Sequence, residues 1–188
     1  MKSAFSVLLL CFLLASCGEE KSVETEEAVE SEEAVETEKT IQARAEAGDA
    51  DAQYELAVMY ASGQGVPEDS AEAVKWLREA AEQGSAASQF ALSLKYAGGD
   101  GLPKDDVEAV KWLSKAAEQG SNGAQTAMGD RYAEGDGLPQ DYIKAYMFYN
   151  LAAAGGSEFC RRRRDRFEDE LTKEQIAEGQ KLTREWLE

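Results

Sequence analysis

The chain has 188 residues, with 37 acidic side chains against 20 basic ones, a formal net charge of −17 and no histidine. So acidic a surface excludes nucleic acid, whose phosphates demand a basic footprint, and it disfavours contact with anionic headgroups. The missing imidazole removes the commonest general base and metal ligand, and no catalytic residue, metal site or cofactor is assigned.

Residues 1–16 are expected to be a signal peptide. Lys2 supplies a short positive start, and Ala4 to Ala15 form an apolar run of 12 residues. That run is too short to span a bilayer, which takes about 20 residues, but it suits a secretory signal. Leu14-Ala15-Ser16-Cys17 resembles a bacterial lipobox. The resemblance implies cleavage before Cys17 and acylation of that cysteine, which would be the protein's hold on a membrane. An ordinary signal peptide with a chance cysteine is the alternative. Gly18 stands where many inner-membrane lipoproteins carry aspartate, so by analogy the anchor belongs in the outer membrane, facing the periplasm. Glu19 and Glu20 leave surface display open.

Residues 17–40 join this anchor to the rest. From Gly18 to Thr40 there are ten Glu and only two Lys, with Val23, Val29 and Val35 marking a six-residue echo. Like charges at i,i+4 (Glu20/Glu24, Glu26/Glu30, Glu32/Glu36) oppose helix, and almost no apolar surface is available to bury. The expectation is a disordered tether, averaging about 25–30 Å as a random coil. An acidic binding tail is the alternative.

From Ile41 onward the charge is 17 basic against 27 acidic side chains, or −10. Here a block of 36 residues is written three times. Tyr60, Tyr96 and Tyr132 keep that step, as do Gly65, Gly101 and Gly137; Pro67, Pro103 and Pro139; Trp76, Trp112 and Phe148; and Gly84, Gly120 and Gly156. A fixed period of this length marks a solenoid, in which each unit buries its apolar face against its neighbours. Within the first unit Ala52, Leu56 and Tyr60 share one helix face, and the helix ends at Gly63 and Gly65. Asp69 then reads as the N-cap of a second helix, with Glu72 in capping-box spacing. Asp105 and Glu108 repeat the box, whereas Lys144 replaces the glutamate after Asp141. Ala73, Trp76, Leu77 and Ala80 form the apolar stripe of that second helix, and both later units match it. The fold class is therefore all-α, an α-solenoid of antiparallel helix pairs with about three full repeats and helical caps.

The segment AQYELAVMYASGQGVPEDSAEAVKWLREAAEQG (52–84) resembles a Sel-1-like repeat, a relative of the tetratricopeptide repeat. Its A-Q-x-x-L, Y-x-x-G-x-G, A-x-x-W and A-A-x-x-G elements recur in order, and residues 41–156 are assigned to the repeats. IQARAEAG (41–48) resembles the end of a preceding second helix. After Gly156 the pattern decays, and residues 157–188 are expected to form two capping helices. Thr172 and Gln175 make a capping box at the start of the last one, and Ile176, Gly179, Leu182, Trp186 and Leu187 supply its buried side.

Two features of this tail admit two readings each. Arg161 to Arg164 with Arg166 are expected to be a solvated helix face balanced by Asp165, Glu168 and Glu170; the alternative is a site for phosphate or a peptide carboxylate. Cys160 falls 36 after Ala124, in a column that takes small residues, so packing is expected, with thiol reactivity as the alternative.

There is no CxxC, no phosphate-binding glycine loop and no nucleophile elbow, so the chain is not read as an enzyme. Some cysteine-rich relatives of the resembled family are described as β-lactamases, but this chain lacks their paired cysteines. Binding is what remains. Opposite the Leu56/Tyr60 face lie Tyr54 and Val58, with equivalents Phe90 and Leu94, then Thr126 and Asp130. In tetratricopeptide repeats such positions line a concave groove that holds extended peptides; the other reading is that they pack against neighbouring repeats. The expected function is a lipid-anchored adaptor for a protein or peptide. An envelope hydrolase, β-lactamase-like or acting on peptidoglycan, and a self-associating structural solenoid are the alternatives.

Overall fold

The computed structural model describes residues 38–188, and every described element is a helix. Helix α1 covers 38–46. Then come α2 (Ala50–Ser62), α3 (Ser70–Glu82), α4 (Ala86–Gly98), α5 (Asp106–Glu118), α6 (Asn122–Glu134), α7 (Tyr142–Ala154), α8 (Glu158–Glu168) and α9 (Lys173–Leu187). The expected signal peptide, Cys17 and the acidic stretch up to residue 37 lie outside the described residues. Helix already covers 38–40, so the helical part begins at least three residues before the Ile41 boundary.

Helices α2/α3, α4/α5 and α6/α7 form the three hairpins, and α3 packs on α4, α5 on α6 and α7 on α8. Caps set this rhythm. Asp49, then Ser85, Ser121 and Ser157 cap the first helix of each unit, and Asp69, Asp105 and Asp141 the second. Gly63, Gly99 and Gly135 close the first helices in the left-handed region, a conformation that costs glycine little.

The capping boxes expected at Glu72 and Glu108 do not form. Asp69 Oδ1 accepts from the amides of Ala71 and Glu72, while Glu72 accepts from Lys75. The reason lies across the hairpin. The cap amide that a box would use already donates to the Tyr60 carbonyl, 2.9 Å away, and Asp105 donates to Tyr96 in the same way. Thr172 has no such carbonyl, and there the box with Gln175 is complete.

The core alternates alanine with aromatics. Ala52, Ala73, Ala80, Ala109, Ala116 and Ala124 are fully buried, and Trp76, Trp112 and Phe148 are 9%, 7% and 4% exposed. At the C-terminal end, α8 and α9 both lie on α7. Gly179 makes the second contact possible, since a Cβ there would stand 2.7 Å from the Tyr146 ring. Trp186 meets Phe148 edge-on at 5.4 Å. Two expectations for α9 fail, because Trp186 stays 39% and Leu187 69% exposed: no other described helix covers the last turn.

Candidate functional site

The six expected groove residues divide into three kinds of environment. Val58 and Leu94, one repeat apart, are open, at 45% and 54% exposure. Tyr54 and Phe90, a turn earlier on the same helices, are half-buried and packed against the core. The Phe90 ring lies so close to the next first helix that a Cβ on Gly123 would stand 3.1 Å from it. Thr126 is buried, donating to the Asn122 carbonyl and lying 3.3 Å from Cys160 Sγ. Phe90 and Thr126 therefore pack against the following unit, and Tyr54 packs against the core.

Asp130 is not a free carboxylate. Tyr149 Oη donates to its Oδ1 at 2.7 Å, and Arg163 Nε donates to the same oxygen at 2.9 Å. Burial, then Asp130, pushes the Tyr149 phenol above its usual range, because both its desolvation and the neighbouring carboxylate disfavour a phenolate. The Asp130 hydrogen bond likewise raises the Arg163 guanidinium. The knot fastens α8 onto α6 and α7, which explains why the third unit turns polar where the first two are apolar.

Helix α8 continues the same columns. Its cap Ser157 stands 36 after Ser121, so Arg162 and Arg166 occupy the steps after Thr126 and Asp130. Cys160, buried to 5% exposure against Ala152 and Ala153, takes the packing role. The arginine run is balanced locally, although not by the acids expected at Glu168 and Glu170. Arg161 and Arg162 pair with Glu158, Arg163 with Asp130 and Arg164 with Asp165. Among the described residues no ion pair involves Arg166.

Between α6 and α8 lies a hollow of about 380 Å³. Tyr149, Phe159 and Phe167 form its aromatic walls, Ala133 lies at its edge, and Arg162, Arg163 and Arg166 project along it. Glu134 and Glu170 complete the lining. The sequence marked Arg161 to Arg164 with Arg166 as an alternative phosphate or carboxylate site but not the hollow beside them, whose signal was also present. Extending the groove columns one more period, past Thr126 and Asp130, lands on Arg162 and Arg166.

The fold defines a class: an α-solenoid of helix-pair repeats. Within that class, this chain belongs to the Sel1 repeat family, whose pattern matches residues 50–85, 86–121 and 123–157. Proteins of this family are typically protein-interaction scaffolds, and the fold is generally a non-catalytic one. The chain is similar to a protective antigen present in uropathogenic Escherichia coli strains, crystallised and displaying an SLR fold. Identity is 42% with a TM-score of 0.62 over 64% of this chain, which spans about a quarter (26%) of the antigen's length. It is also similar to a Sel1 repeat protein from Oxalobacter formigenes, at 36% identity and a TM-score of 0.62, covering 67% of this chain and 95% of that one. No curated protein matches.

Proposed function

We propose that this protein is a non-catalytic adaptor that holds a protein or peptide partner on the face formed by its first helices. One observation carries the reading: Val58 and Leu94 repeat as exposed aliphatic side chains, 45% and 54% open, on that one face. Scattered exposed apolar residues are ordinary. Here the repeat sets them in register, one turn after the half-buried Tyr54 and Phe90 on the same helices. Membrane attachment through lipid on Cys17, with the solenoid facing the periplasm, belongs to the same proposal and is supported by the lipobox resemblance alone.

Val58→Glu/Leu94→Glu is the appropriate variant for the test, since substitution at Tyr54 or Phe90 would disturb inter-repeat packing. Both forms are checked by circular dichroism, then used to capture partners from envelope extract, and the captured protein is purified and titrated against each. The expected outcome is an unchanged helical spectrum with affinity reduced at least tenfold. Equal affinity for both forms would remove the groove from consideration. For the anchor, Cys17→Ser is expected to accumulate as unprocessed, unlipidated precursor. Normal processing of that variant would end the lipoprotein reading.

A further inference from the structure

We propose that the hollow between α6 and α8 is a subsite for the chain end of a partner polypeptide, with an apolar last side chain in the cavity and its terminal carboxylate on Arg166. The inference rests on the groove reading above and names where a bound peptide would finish. Three observations converge on it. First, the walls are aromatic and one of them is uncovered: Phe159 is 68% exposed, beside the half-buried Phe167 and the buried Tyr149. A volume of about 380 Å³ lies at the small end of ligand pockets, which suits one or two residues rather than a folded surface.

Second, Arg166 is the arginine of the run without an acidic partner among the described residues, whereas Arg162, Arg163 and Arg164 are each ion-paired. Its guanidinium is thus available for the forked, charge-assisted contact that a carboxylate accepts. Third, Glu134 and Glu170 also line the hollow. They oppose a phosphate dianion or a run of acidic side chains, and leave a single negative charge as the best-fitting anion. A chain terminus offers one carboxylate beside one side chain, which matches an aromatic wall next to one free guanidinium. Position agrees as well, because Arg166 continues the column of Val58 and Leu94.

The test uses the full chain, purified in detergent, against an array of octapeptides varied in their last two residues. Each peptide is present as the free acid and as the C-terminal amide, and hits are titrated by fluorescence anisotropy. Free acids ending in Phe, Leu or Met are expected to bind, with amidation weakening them at least tenfold. Arg166→Gln should abolish the acid–amide difference. Phe159→Ala, at a site too exposed to matter for folding, should weaken Phe-ended peptides while sparing Ala-ended ones. The proposal is overturned if acid and amide bind alike, if Arg166→Gln keeps the discrimination, if inorganic phosphate displaces the peptide as well as a free acid does, or if no peptide binds. Acid and amide binding alike, with both lost in Val58→Glu/Leu94→Glu, would discard the subsite and keep the groove. Acid-selective binding that ignores that double variant would do the reverse.

Discussion

Gln53, Gln89 and Gln125 are buried amides in an otherwise apolar layer, and each has the same task. Each donates through Nε2 to a carbonyl in the last turn of the preceding helix: Ala45 at 3.1 Å, Ala81 at 3.0 Å and Ala117 at 3.2 Å. Each of those carbonyls also accepts from the glycine amide three residues on, Gly48, Gly84 or Gly120, and the glutamine adds a bond to the second lone pair that stitches each unit to the one before. A second glutamine completes the first two stitches, with Gln83 donating to Gln53 at 2.7 Å and Gln119 to Gln89 at 2.8 Å. In the third unit that place is held by Gly155, and Gln125 Oε1 is left without a partner. Asn122 fills the space instead, its side chain 2.2 Å from where a Gly155 Cβ would stand. Gly155→Gln alone should therefore destabilise, whereas Asn122→Ala/Gly155→Gln should gain about 0.5–1.5 kcal/mol, measured by urea unfolding of both variants. At the same scale, the raised Tyr149 phenol contributes stability that is fully present below the ordinary tyrosine pKa of about 10. That contribution is lost as pH rises toward the higher folded value. Tyr149→Phe is expected to flatten the alkaline limb of a stability–pH profile.

Among the elements, the turns are as constrained as the helices. The Gly99–Gly101 turn of the second unit sits against the start of α3 in the first, and a Cβ on Gly101 would stand 2.2 Å from the Ser70 carbonyl oxygen. With φ at +77° as well, Gly101→Ala is expected to cost more than about 1 kcal/mol, seen as a lowered Tm. Gly65 and Gly137 share the conformation, but their nearest neighbours stand at 3.0 and 3.3 Å, so the same substitution should cost less there. Beside Gly101, Lys95 and then Ser70 hold the Asp100 carboxyl below its usual range. Because the folded value is depressed, that anchoring is present above about pH 4 and fades as pH falls through the lower folded value. The last element, α9, is fastened by Gly179 on Tyr146 and by Trp186 edge-on against Phe148. Gly179→Val should detach it and expose Phe148, which hydrogen exchange confined to α7 and α9 would show.

Among the described helices, the main packing contacts join each unit to its sequence neighbours, as expected of a solenoid in which stability is a sum of local terms. Trp112→Ala is expected to cost about 3–5 kcal/mol and to broaden the denaturant transition, because it divides the array near its middle. Much of this architecture was legible in the sequence. The 36-residue step, the aspartate caps and the aromatic column each report a local requirement that returns every time the chain passes the same place. Period and helix ends therefore follow from residue type alone. What the repeat could not announce is where it stops being obeyed. Glu72 was available for a capping box, yet a carbonyl from the neighbouring helix had already taken the amide. Asp130 has the position of Val58 and Leu94, yet Arg163 and Tyr149 withdraw it from the open face. Thr126 has the position of Tyr54, yet α8 buries it against Cys160. In each case a residue's role was set by a partner more than eight positions away, and such partners come together only when the hairpins stack. The sequence by itself determined the repeat, its helices and its family. The tertiary structure decided which side of the repeat stays open, and that α8 borders a hollow whose Arg166 has no ion pair among the described residues, because both depend on contacts between units.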